Sequence, residues 1–156
     1  MCGIVGIHHF NQQPVSNVIL NQMNETLQHR GPNGDGVWVE NNIGLAHRRL
    51  SIIDLSAHGH QPMMCESGRF IISYNGEVYN FREIRTSLEA LGHVFHSKTD
   101  TEVVLKAFAQ WGNQAIPKFN GMFAFAIWDR QEKILTLARD RYGIKPLYYT
   151  ISNQTL

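Results

Sequence analysis

Cysteine is scarce in this sequence: two residues among 156, Cys2 and Cys65. That excludes a disulfide framework, and unpaired thiols suit a reducing compartment. Long apolar runs are missing as well. The longest, such as Met122 to Trp128, falls far short of the roughly 20 residues that a membrane-spanning helix needs. The residues after Met1 have no basic leader, and their apolar run is too short for a signal peptide. A cytoplasmic location is therefore expected. Excess charge of either sign is also lacking, with 14 Lys+Arg against 13 Asp+Glu and a formal net charge of +1. Neither nucleic acid nor an acidic membrane surface finds an electrostatic footprint here. No repeat, low-complexity tract or Pro/Ser-rich linker interrupts the chain, so one domain over residues 1–156 is expected.

What is present is a foldable pattern. At 43% apolar and 10% aromatic residues, the composition is too hydrophobic for a disordered segment. A chain of about 150 residues buries roughly 68–70% of its unfolded surface, enough for a core without staples. Residues 3–8 read as a short buried strand, and Val18 to Leu27 carries Ile19, Met23 and Leu27 at helical spacing. His29 to Gly36, with three glycines and a proline, must be a loop. Strands at about 36–40 and 43–47 form a hairpin around Glu40-Asn41-Asn42, and Arg69 to Tyr74 is a further strand.

Two helices announce themselves by their ends. Asn80, three residues before Glu83, predicts a capped helix over about 81–91 that Gly92 stops; Thr99, three before Glu102, predicts one over about 100–111 that Gly112 stops. Met122 to Trp128 and Lys133 to Ala138 form a hairpin around Asp129 to Glu132, and its first arm is apolar on both faces. Such a strand is covered on both sides. Hairpin-linked strands with helices in separate blocks predict a layered α+β fold.

Few residues carry chemistry, and each has two readings. Removal of Met1 gives Cys2 a thiol and a free α-amine on one residue, a nucleophile with its own base; alternatively, a small second residue merely suits methionine removal. Asn75-Gly76 is either a two-residue hairpin turn or an oxyanion hole of one backbone N–H and one side-chain amide. Arg48 and Arg49 are either a solvated pair or a bidentate grip on a carboxylate. Asp100 either complements a helix dipole or receives a substrate ammonium. The histidines His8, His9, His58 and His60, with Cys65, are either metal ligands or solvated loop residues; neither HExxH spacing nor a CxxC pair appears among them. Gly31, Gly34 and Gly36 match no phosphate-binding loop.

Taken together, seven blocks resemble one family: Met1-Cys2-Gly3-Ile4-Val5-Gly6, His29-Arg30-Gly31-Pro32, Ala46-His47-Arg48-Arg49-Leu50-Ser51-Ile52-Ile53-Asp54, Tyr74-Asn75-Gly76-Glu77-Val78-Tyr79-Asn80, Thr99-Asp100-Thr101-Glu102, Gly121-Met122-Phe123-Ala124-Phe125-Ala126 and Arg139 to Tyr149. In order and over nearly the whole chain, they resemble the N-terminal glutaminase domain of glutamine-hydrolysing asparagine synthases, which are class II glutamine amidotransferases. The resemblance implies the N-terminal nucleophile hydrolase fold, an αββα sandwich of two stacked antiparallel sheets between helical layers. It also implies hydrolysis of L-glutamine to L-glutamate and ammonia. Cys2 is then the nucleophile, with Asn75 and Gly76 stabilising the oxyanion. Arg49 binds the α-carboxylate, Asp100 and Gly76-Glu77 hold the α-amino end, and Leu50, Ser51, Ile52 and Ile53 line the pocket. Arg30, Gly31 and Pro32 belong to a loop, running to Gly36, that closes over glutamine; Asn33 departs from the Asp that the family often places there.

The resemblance further implies a longer parent. Relative to the family the chain is truncated at its C-terminus, and Leu147 to Leu156 reads as a hairpin cut before its return strand. The synthetase domain that would follow, with its Ser-Gly-Gly-x-Asp-Ser pyrophosphate loop, is not in this sequence. ATP and Mg²⁺ would therefore belong to that domain, which is the expected partner besides glutamine, and no cofactor is expected in this chain. A homodimer stays open. Two other readings also stay open: the glutaminase domain of another class II amidotransferase, and a silent glutamine-binding fragment.

Overall fold

The computed structural model describes residues 1–50 and 59–156. The described residues form seven strands and three α-helices in four layers. The first sheet joins β1 (Gly3–His8), β2 (Gly34–Glu40) and β3 (Ile43–Arg49), with β3 in the centre and both pairings antiparallel. The second joins β4 (Met63–Met64), β5 (Phe70–Val78), β6 (Gly121–Asp129) and β7 (Ile134–Arg139) in that order, again antiparallel. Helix α1 (Asn17–Thr26) covers the outer face of the first sheet. Helices α2 (Phe81–Ala90) and α3 (Asp100–Trp111) cover the outer face of the second. This is the expected αββα sandwich.

The alternation of each strand divides the core into three. Ile43 and Leu45 of β3 face Ile71, Ala126 and Trp128 of the second sheet, forming the central apolar layer. The even positions of β5 and the odd positions of β6 (Phe70, Ile72, Tyr74, Val78; Phe123, Phe125, Ile127) face Val104, Leu105 and Phe108 of α3 with Ile84 and Leu88 of α2. Val15, Leu20 and Ala46 close the third layer under α1. Strand β6 is thus apolar on both faces because it is buried on both, as its sequence predicts.

Several sequence expectations need adjusting. Residues Gly34 to Gly36 belong to β2, so the glycine-rich loop ends at Asn33. Strand β5 does not stop at Tyr74 but runs to Val78, which places Asn75 and Gly76 inside the ladder opposite Ala124 and Phe123. The hairpin-turn reading of Asn75-Gly76 is therefore overturned, because nine paired residues of β6 outweigh a local turn preference. Asn80 precedes α2 but does not cap it; its side chain instead bonds the Lys118 carbonyl and the Asn120 N–H. Thr99 does cap α3, accepting from the Glu102 N–H. The last residues are a tight turn in which Ser152 and Thr155 exchange hydrogen bonds, and Leu156 and His8 do the same at 2.9 and 3.0 Å.

Candidate active site

Strand β4 is only two residues long and pairs with Ile71 and Ile72, so the edge of β5 beyond it is left open. Alternation then decides what this edge presents. In an antiparallel ladder, successive N–H groups point to opposite sides of the strand. The Tyr74 N–H donates to Gln61 Oε1 at 2.7 Å and the Val78 N–H to Asp100 Oδ2 at 3.0 Å. Both point away from β6. The Gly76 N–H lies between them in the same phase, on the edge that borders a cavity of about 230 Å³.

That cavity gathers residues from distant parts of the chain. Cys2, Arg49, Leu50, Asn75, Gly76, Glu77 and Asp100 line it, so the elements bring together most of the residues singled out in the sequence. Cys2 stands just before β1, beside the end of β3: the Leu50 N–H donates to Sγ at 3.3 Å, and the thiol faces the Leu50 carbonyl at 3.7 Å. Asn75 is buried on β5. At Gly76 a side chain is impossible, since a Cβ would lie 2.6 Å from the Met122 carbonyl oxygen and 2.7 Å from Phe123 Cβ. Arg49 reaches Gly59 so closely that a Cβ there would stand 2.1 Å from its guanidinium.

Asp100 begins α3 and is nearly buried. Burial pushes its carboxyl above the usual carboxylate range, opposed by the Tyr74 hydroxyl and by N–H groups that favour the charged form. Burial also raises the Tyr74 hydroxyl well above its ordinary value, and the Asp100 charge adds to this. Beneath β5 lies His47, fully buried, with Nε2–H donating to the Tyr74 carbonyl at 3.1 Å. Its pKa falls to about 4, chiefly through burial, so this ring is neutral near pH 7.

The loop residues sit differently. Arg30 does not line the cavity; its Nε donates to the Cys2 carbonyl at 3.1 Å. Gly31 packs on the end of β3, where a Cβ would come 2.4 Å from the Arg48 carbonyl, and neither it nor Pro32 lines the cavity. Arg48 is committed elsewhere, to the Asn24 carbonyl at 3.1 Å. Ser51, Ile52, Ile53 and His58 lie outside the described residues. None of the described cavity-lining residues is a histidine, and among the described residues no group of three or more His, Cys, Asp or Glu could hold a metal ion.

The family profile described as a glutamine amidotransferase domain matches residues 1–156. The chain belongs to this family. Asparagine synthetase (glutamine-hydrolysing) 1 of Bacillus subtilis (strain 168) is 44% identical over 98% of this amidotransferase chain, which covers 24% of that protein. Amidase chry2 of Gibberella zeae is 40% identical over 100% of the chain, which covers 25% of it. This amidotransferase domain thus spans about a quarter of the length of those relatives. Among solved structures, a glutamine phosphoribosylpyrophosphate amidotransferase from B. subtilis superposes with a TM-score of 0.82 over 99% of this chain and 40% of its own. At 19% identity that likeness speaks for the fold alone.

The amidotransferase cavity also has walls that the sequence did not single out. Met1, Gln61, Tyr74, Thr99, Thr101, Met122 and Lys145 line it. All of these but Gln61 lie inside blocks that carry the family resemblance, which was the available signal. Gln61, in a polar loop, offered none.

Proposed function

We propose that this domain hydrolyses L-glutamine to L-glutamate and ammonia, and that residues 1–156 are the glutaminase part of a longer cytoplasmic asparagine synthase. The observation that carries the reading is the single cavity shared by Cys2, Arg49, Asn75, Gly76 and Asp100. Met1 is first removed. The freed Cys2 amine takes the thiol proton, and Sγ adds to the δ-carbonyl carbon of glutamine. Negative charge on the carbonyl oxygen meets the Gly76 N–H and the Asn75 side-chain amide, donors already in place before charge develops. The Cys2 ammonium returns its proton to the leaving nitrogen, ammonia departs, and a thioester remains. Water, deprotonated by the same amine, attacks the thioester and releases glutamate.

Arg49 forks onto the α-carboxylate, while Asp100 and Glu77 receive the α-ammonium. The resulting grip at the far end of the substrate sets the δ-carbon against Cys2. Arg30, bonded to the Cys2 carbonyl, fixes the backbone of the nucleophile. ATP and Mg²⁺ would act in the following synthetase domain, which receives the ammonia and forms asparagine from aspartate.

A second reading concerns only the acceptor. Similarity to a protein named as an amidase, a reaction that ends at amide hydrolysis, favours ammonia release without an asparagine-forming step. Incubating the full-length protein with glutamine, aspartate and ATP decides: asparagine formed with glutamate supports the first reading, whereas glutamate without asparagine supports the second. Glutamine binding without ammonia release would overturn both.

A further inference from the structure

Lys145 is a buried cation that nothing in the mechanism above uses. Only 6% of it is exposed, it lines the cavity with Cys2, and its ammonium donates to the Met1 thioether at 3.2 Å. Among the described residues that sulfur is its sole hydrogen-bond partner. A thioether is a weak acceptor, and an ammonium taken from water ordinarily requires a strong one. The partner is also the residue whose removal the glutaminase reading requires.

The fold nevertheless invests in presenting this lysine. Asp140, at the end of β7, accepts the N–H groups of Ile144 and Lys145 at 2.9 Å each and that of Phe123 at 3.1 Å. Those backbone bonds help to hold its carboxyl below the usual range against the opposing effect of burial. Arg139 donates to the Lys145 carbonyl at 2.6 Å and to that of Gly143. Gly143 adopts φ +63°, the left-handed turn that lets the chain double back. The Lys145 backbone is therefore clamped on both its N–H and its carbonyl side, and its side chain is delivered to the N-terminus of β1.

We propose that Lys145 is a positioning residue for Cys2: once Met1 is gone, its ammonium faces the Cys2 thiol and α-amine and biases that pair toward losing its first proton. The proposal rests on the glutaminase reading. A neighbouring positive charge disfavours an ammonium and favours a thiolate, so both members of the pair respond in the same direction. The other charged groups around Cys2 are Arg30 on its carbonyl, Arg49 at the end of β3, Glu77 on β5 and Asp100 on α3. In the proposed complex Arg49, Glu77 and Asp100 face the two charged ends of glutamine. Lys145 alone of the cavity cations then has no substrate group assigned to it.

The test uses the full-length protein with Met1 removed, as wild type, Lys145→Gln and Lys145→Arg. Two pH profiles are measured on each: kcat/KM for ammonia release from glutamine, and the rate of Cys2 alkylation by iodoacetamide without substrate. In Lys145→Gln the acidic limb of both should move up by about one pH unit, and Lys145→Arg should restore it. Unmoved limbs would overturn the proposal and leave Lys145 a wall of the pocket. Should Lys145→Gln not fold, Lys145→Arg and Lys145→Met are compared in the same way. Loss of ammonia release in the wild type would instead remove the glutaminase reading, while the alkylation limb still decides the role of Lys145.

Discussion

The Tyr74 hydroxyl donates to Asp100 Oδ2 at 2.6 Å, and the Val78 N–H donates to the same oxygen at 3.0 Å. This pair ties the first residue of α3 to the open edge of β5 and aims one carboxylate into the cavity. Tyr74→Phe removes the hydroxyl and keeps the ring. A buried hydrogen bond to a charged group contributes about 1.5–3 kcal/mol, so the melting temperature should drop. If Asp100 holds the glutamine ammonium, KM should rise more than kcat falls. A stability loss with KM unchanged would confine this pair to the fold.

Asn75 sits in the middle of a paired strand, so its replacement does not disturb a turn. Loss of one oxyanion donor lowers kcat by roughly 10²–10³, about 2.7–4 kcal/mol. Asn75→Ala should therefore keep glutamine affinity and lose turnover. Steady-state kinetics checks this, and intact kcat with weakened affinity would remove Asn75 from the oxyanion site.

Arg49 gives a paired test. Arg49→Lys keeps the charge but loses the fork that matches a carboxylate, so kcat/KM for glutamine should fall without unfolding. Gly59→Ala should mimic it from outside, because the new Cβ would press into the guanidinium at 2.1 Å. Agreement of the two variants in KM points to guanidinium placement. Normal kinetics in both would exclude Arg49 from binding.

His47 predicts a stability profile. Its pKa is about 4 in the fold and about 6.5 in an unfolded chain. The depressed group therefore stabilises fully above pH 6.5, and its contribution is lost as pH falls toward 4. Between pH 7 and 4.5 the loss is about 2–3 kcal/mol at 1.36 kcal/mol per unit. Urea midpoints at both pH values should diverge in the wild type and converge in His47→Gln. Equal divergence in the two proteins would place the acid sensitivity elsewhere.

The sandwich was legible because its strands and helices carry their own signals. Met122 to Trp128, apolar on both faces, announced a strand between two layers, and Thr99 with Glu102 marked the start of α3. Asn80 misled, since a side chain that suits a cap also suits the bridge to Lys118 and Asn120. Asn75-Gly76 misled more deeply: local preference says turn, and only the nine-residue pairing with β6, a long-range fact, says strand. The site itself needed the family resemblance. Composition cannot place Cys2, Arg49 and Asp100 together, because they converge from the segment before β1, the end of β3 and the start of α3.

The N-terminus exposes the mechanism most directly. A peptide nitrogen has no basic lone pair, so with Met1 in place Cys2 has no amine to accept its thiol proton. Met1 also lines the cavity, so it stands where substrate must enter. Retained Met1, or any tag ahead of Cys2, should abolish ammonia release on both counts. The two effects separate by binding: calorimetry should show glutamine affinity weakened by retained Met1 but preserved in processed Cys2→Ala, where Arg49 and Asp100 still hold the far end. Intact mass establishes which form is present. Equal ammonia release from processed and tagged protein would place the base elsewhere. With no histidine among the described cavity-lining residues, the search would turn to residues 51–58, which include His58.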